Sequence, residues 1–131
     1  MLGDIDSEQV ALTEHEQQPW HHHPYWQVAR RDLIGPLSGA QHCELSEQRA
    51  EPGGYVPIHH HDVEEIITVV SGTLSVMVGG QYFEMPASTS VVIPPGVEHG
   101  WRNKSQSSAI FLVYFPALDP ASHWREPKSK I

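Results

Sequence analysis

Apolar residues in the middle of this chain recur at every second position, and Gly and Pro cut them into short runs. A strand turns successive side chains to opposite faces, so such runs specify half-buried strands and leave no room for long amphipathic helices. Leu74, Val76 and Val78 share one face, with Ser75 and Met77 on the other. Gly79-Gly80 follows and Gln81 to Met85 resumes, which is the pattern of a two-residue hairpin. Ser90 to Ile93 and Ala109 to Phe115 are short runs rich in β-branched and aromatic residues. The second is apolar on both faces, as suits a strand sandwiched between sheets or covered by a partner subunit. Tyr25 to Leu33 and Gln41 to Leu45 are weaker strand candidates. No helical period is sustained and no internal repeat is evident, so the expected class is all-β, a sandwich or small barrel.

At 131 residues the chain has room for one domain. Residues 1–24 carry five acidic residues and no Lys or Arg, and are read as an acidic arm. Residues 25–116 form the expected β-domain, and the Pro-containing stretch 117–131 reads as a tail. Sixteen Asp and Glu against eight Lys and Arg give a formal net charge of -8, which argues against nucleic acid as a partner. The apolar runs fall far short of the roughly 20 residues of a membrane helix, so no membrane partner is expected. The amino terminus is acidic where a secretory signal is basic, and the lone Cys43 has no intrachain disulfide partner. The expected compartment is the reducing cytoplasm. Cys43 shares parity with Leu45 and reads as a small core residue.

Ten histidines stand out in so short a chain. In Gly53-Gly54-Tyr55-Val56-Pro57-Ile58-His59-His60-His61-Asp62-Val63-Glu64-Glu65, a roughly extended chain aims His59, His61 and Glu65 to one side. His60, Asp62 and Glu64 then face the other way, and Ile67 and Val69 keep the inward parity as an apolar floor. Two imidazoles and a carboxylate on one face are ingredients of a first-row transition-metal site. A fourth candidate, His99, follows the turn residues Pro94-Pro95-Gly96 and starts another strand. Three His and one Glu fill four positions of an octahedral ion and leave two for substrate, water or dioxygen, as catalytic metal sites do.

Gly53, His59, His61, Glu65 and Gly72, at these spacings, resemble the first motif of the cupin superfamily, and Pro94, Gly96, His99 and Asn103 resemble the second. The second motif usually opens with Gly six residues before the Pro; here Ser88 stands in that place, at a turn and not at a ligand. The resemblance makes His59, His61, Glu65 and His99 the metal ligands. It implies a single antiparallel β-barrel of jelly-roll type, often dimeric, so a homodimer is expected.

The implied cofactor is one divalent first-row ion per chain, Fe2+ or Mn2+ ahead of Zn2+, Ni2+ or Co2+. Arg49, Tyr55, Ile67 and Trp101 are candidate pocket residues, with Arg49 placed either as a carboxylate anchor or in solvent. The pattern singles out no catalytic residue, and Glu98 and Tyr55 are the candidates for a base. His21, His22 and His23 match no ligand spacing and read as a solvated or interface cluster. The partner is a small molecule, aromatic or chelating. An oxygenase or related oxidoreductase is the first functional expectation. A redox-neutral metal enzyme (isomerase, lyase, decarboxylase or cyclase) is the second, and a non-catalytic binding module the third.

Overall fold

Eleven strands among the described residues, most of them ended by the Gly and Pro punctuation, organise the fold. The computed structural model describes residues 10–131, so the first nine residues of the acidic arm lie outside the described residues. The strands are β1 (His21–His22), β2 (Val28–Ile34), β3 (Glu44–Ala50), β4 (Tyr55–His60), β5 (Glu65–Ser71), β6 (Thr73–Val78), β7 (Gln81–Pro86), β8 (Thr89–Ile93), β9 (His99–Arg102), β10 (Ala109–Phe115) and β11 (His123–Trp124). Helical content among the described residues is two 3-10 turns, His15–Gln17 and Pro36–Ser38. One antiparallel sheet has the order β1-β2-β3-β10-β5-β8, and the other β11-β4-β9-β6-β7. They pack face to face as a jelly roll, so the β-barrel expected from the sequence takes a two-sheet form and not a closed ring.

The core lies between the sheets. Ile67, Val69, Phe111 and Val113 from the first meet Leu74, Val76, Met85 and Trp101 from the second. Trp101 and Phe111 pack edge to face at 4.9 Å, and each such buried side chain contributes roughly 1.5–3 kcal/mol. The hairpin at Gly79-Gly80 forms between β6 and β7, closed by Val78 opposite Gln81. Both glycines take positive φ (56° and 85°), which the turn type favoured by twisted hairpins requires.

Three differences from the sequence reading bear on the site. First, the strand expected at Gln41 to Leu45 begins at Glu44 and runs on to Ala50. Its inner-face residues, Ser46, Gln48 and Ala50, are polar or small and show no apolar alternation. Cys43 lies before this strand and is half-buried, not in the core. Second, the chain is not extended from His59 to Glu65: β4 ends at His60, a bend covers Asp62 and Val63, and β5 starts in the opposite sheet. Third, β4 carries a bulge against β9. Val56 pairs with Trp101 and His59 with His99, so Pro57 and Ile58 together oppose Gly100. Pro57 has no N–H to give a ladder, which suits it to a bulge.

Both ends of the described chain join the sheets. β1 adds to the edge of β2 and β11 to the edge of β4. Arg31, buried on β2, bonds Glu47 at 2.6 Å and Glu16 at 3.3 Å, and its guanidinium lies 4.5 Å from the centre of the Trp20 ring. These contacts hold residues 16–20 against the sheet.

Candidate metal centre

His59, His61, Glu65 and His99 meet at one end of the sandwich, where β4 ends and β5 and β9 begin. His59 and His99 are cross-strand partners, and Glu65 reaches them from the other sheet. All four side chains are buried, and one donor atom of each lies within 4.8 Å of the others.

The outward nitrogens decide what the inward ones offer. His59 Nδ1 lies 2.7 Å from the Pro57 carbonyl, His99 Nδ1 2.9 Å from that of Val97, and His61 Nδ1 2.9 Å from that of Ala121. A carbonyl only accepts, so each Nδ1 carries a proton and donates it, and the neutral rings turn Nε2 lone pairs inward. Glu65 Oε1 sits 2.9 Å from His99 Nε2 and 3.4 Å from His61 Nε2. Glu65 Oε1 and His99 Nε2 are buried and, although close, are not aligned in a hydrogen bond with any partner. Lone pairs crowded this closely are stable only around a positive charge. The donor set is the nitrogen-rich, one-carboxylate mixture that first-row ions take, so the residues present fit a metal ion.

The electrostatics agree. Burial, helped by the neighbouring His99, lowers His59 to about 4, so its ring stays neutral at ordinary pH. Burial opposes the charge on Glu65, but contacts from His61 and His99 outweigh it and hold the carboxyl down at about 2. Burial likewise works against a charged His61, yet the Glu65 contact and the Ala121 carbonyl raise it above the ordinary imidazole value. A carboxylate and a proton-retaining imidazole are what a buried cation site looks like with a proton in place of the ion.

A cavity of about 290 Å³ opens over the cluster. Trp26, Val56, Trp101, Val113, Phe115 and Trp124 supply its apolar walls, and Trp124 lies 4.8 Å from the His59 ring. His21, His23, Arg30, Glu44, Gln48, Asp119 and Ser122 supply polar groups. His23 stacks on Trp26 at 3.8 Å, and its Nδ1 accepts the backbone N–H groups of Tyr25 and Trp26 at 3.2 Å each. Its Nε2 therefore carries the proton of the neutral ring. Glu44 is held by the backbone N–H of Asp119 at 3.1 Å.

Of the candidate pocket residues, Trp101 lines this cavity. Ile67 is fully buried deeper in the core, beneath Glu65. Tyr55 is outside the wall: the bulge at Pro57 shifts the inward parity, so Val56 takes its place. Arg49 is also outside, half-exposed and ion-paired with Glu51 at 2.9 Å. Even-numbered residues of β3 face inward, as buried Ser46 and Ala50 show, so Gln48 is the one in the wall. Glu98 is half-exposed and paired with Arg125 at 2.9 Å, away from the cavity. His21 and His23 belong to the cavity and are not merely solvated. The terminal segments were opaque in the sequence, yet Trp26 beside the three histidines and Trp124 beside His123 are the aromatic residues that mark them.

Comparison with known proteins follows the same lines. Residues 46–115, just over half of the chain, match the family model described as the cupin domain. A curated protein named polyketide synthase CurC, from Streptomyces cyaneus, is 29% identical over 92 residues, covering 69% of this chain and 60% of that protein. Among solved structures, the polyketide cyclase RemF from Streptomyces resistomycificus superposes with a TM-score of 0.77 at 24% identity, over 87% of this chain and 84% of that one. A predicted oxalate decarboxylase from Thermotoga maritima gives a TM-score of 0.74 at 17% identity, over 82% of this chain and 99% of that one.

Proposed function

The chain belongs to the cupin family, and from that premise we propose that it is a metal-dependent enzyme that closes or rearranges a ring in a small, flat, carbonyl-rich molecule of polyketide type. The observation that carries this reading is the cavity over the ligand cluster, with three tryptophans and Phe115 in its walls. A planar substrate gains contact area on such walls, and about 290 Å³ suits a small ligand. The likeness to a polyketide synthase component and a polyketide cyclase supports the substrate class.

His59, His61, Glu65 and His99 would hold the ion, which when bound acts as a Lewis acid on a substrate carbonyl and makes the neighbouring C–H groups more acidic. The rest is done by the chain. Trp26, Trp101 and Trp124 orient the plane of the substrate and exclude water. His23, its Nδ1 occupied, presents Nε2–H to a substrate oxygen, and Gln48 offers an amide. Glu44, anchored by Asp119, is positioned to take the proton from carbon, the general base that the sequence left unidentified.

The order of expectations thus reverses, with redox-neutral chemistry ahead of oxygenation. Oxygenation stays as the second reading because three His and one Glu leave adjacent positions open, an arrangement suited to Fe(II) with dioxygen. Turnover of poly-β-carbonyl substrates by the metal-loaded protein separates the two. Cyclised product under nitrogen, with no oxygen uptake in air, is expected. Product that forms only with stoichiometric oxygen uptake makes the oxygenase reading correct. Glu44→Gln is expected to lower kcat by roughly 10²–10⁴ while metal content stays unchanged.

A further inference from the structure

The alternation that turns His59 inward turns His60 outward, and β11 places a second histidine beside it. His123 is the cross-strand partner of His60 in the β4–β11 ladder. Directly opposed side chains on such a ladder have Cβ atoms about 5 Å apart, and here the two imidazoles stack at 4.8 Å with 26° between their planes. Asp62, just past the end of β4, brings its Oδ2 to 3.0 Å from His123 Nε2. One donor atom from each of His60, Asp62 and His123 lies within 4.8 Å of the others. The cluster is on the outer surface, with the His123 and Asp62 side chains 44% and 76% exposed, so an ion reaches it from solvent without entering the cavity.

We propose that His60, Asp62 and His123 form a second metal site, for a divalent first-row ion such as Zn2+, which clamps the carboxy-terminal strap to β4. Two imidazoles and a carboxylate with water in the fourth position satisfy a tetrahedral zinc ion. On binding, the ion takes the Nε2 lone pair of neutral His123 and the Asp62 carboxylate in place of their hydrogen bond, and the ring keeps its one proton on Nδ1. The neighbouring carboxylate of Glu98 is neutralised by Arg125, so it adds no competing ligand.

The clamp matters because of what the strap does. Ala121 accepts the Nδ1 proton of His61, and Pro120, Ser122 and Trp124 wall the cavity. β11 is only two residues long, and Arg125 N–H to Ile58 O and Ile58 N–H to Ser129 O are the main-chain bonds that extend its hold on β4. A strap held by so few bonds opens locally, and an ion across His60 and His123 would suppress that opening. The outer ion thereby controls access to the inner cavity, whichever chemistry takes place there.

Zinc uptake by the untagged full chain tests this, by equilibrium dialysis of wild type, His60→Gln and His123→Gln. Wild type is expected to take up one more equivalent than either variant. At zinc about ten times its dissociation constant, mass action is expected to slow amide exchange at His123 and Arg125 about tenfold in wild type, and not in the variants. Equal zinc uptake by all three proteins, or wild-type exchange unaffected by zinc, would overturn the proposal. Failure of the inner site is distinguishable, because it removes an equivalent from all three proteins and leaves the difference between them intact.

Discussion

Asn103 shows how much one residue of the second motif carries. It is wholly buried. Its Nδ2 donates to the carbonyls of Ala50 and Ser107 at 2.9 and 2.8 Å, and its Oδ1 accepts from Ser105 N–H and Oγ at 3.0 and 2.7 Å. Its main chain bonds Gly53 and Gly54 as well, so one residue ties the loop after β9 to the turn between β3 and β4. Asn103→Ala strands several of these partners in a dry interior, each at about 1–3 kcal/mol. The expected loss is roughly 3 kcal/mol or more, read as a lower urea midpoint, while Asn103→Asp sets a buried carboxylate oxygen against the Ala50 and Ser107 carbonyls and loses at least as much. The ligands themselves were legible in the sequence by residue type and spacing. What orients them was not: Pro57, Val97 and Ala121 act through backbone carbonyls, which any residue provides. Ala121 is, moreover, sixty residues away from His61.

The turn between β7 and β8 is an element in which this chain departs from its family's pattern, and the departure has a cost. Ser88 occupies the place usually held by Gly, and it adopts φ 66°. An L-residue in that region is strained by roughly 1–2 kcal/mol, which glycine avoids while losing about 0.5–1 kcal/mol through greater freedom when unfolded. Ser88→Gly is therefore expected to stabilise the protein by up to about 1 kcal/mol, seen as a rise in Tm of a few degrees; a lower Tm would show that the Ser side chain compensates. β6 was legible because period two needs several repeats to stand out, and β10 because an unbroken apolar run rich in aromatic and branched residues marks a strand covered on both faces. β1 and β11 have two residues each and carry no period at all. β3 was blurred because its inner face is polar, for the reason that it walls a cavity. The bulge in β4 hid the exchange of Tyr55 for Val56, although Pro57 was the residue that permits it.

The whole molecule is negatively charged, -8 by formal count, which raises the local concentration of cations around a site built to take one. Protons compete for the same donors, and the cluster sets the order in which they do so. His61, raised above its ordinary value, takes a proton first on acidification. His59 follows only near pH 4 and Glu65 near pH 2. Metal affinity is therefore expected to fall by at least tenfold per pH unit below the His61 value, measured by chelator competition from pH 8 to pH 5. Without metal, linkage fixes the direction of the stability change. His59 binds its proton at 6.5 when unfolded and about 4 when folded, so acidification through that interval favours the unfolded chain. Glu65, moving from 4.5 to about 2, continues the loss over the next interval. His61 works the other way, but only above 6.5, since its raised value adds stability as the pH falls from the folded value to the unfolded one. Below 6.5 the gain from His61 is complete while His59 and then Glu65 go on losing, so the stability of the metal-free protein falls with pH from there down. At pH 7.5, an ion at about 1,000 times its dissociation constant adds about 4 kcal/mol, which for a chain of this length raises Tm by roughly 10–20 °C. Calorimetry with and without chelator is expected to show that gap at pH 7.5 and to show it closing by pH 5. A gap unchanged between those values would mean that His61 is not a ligand.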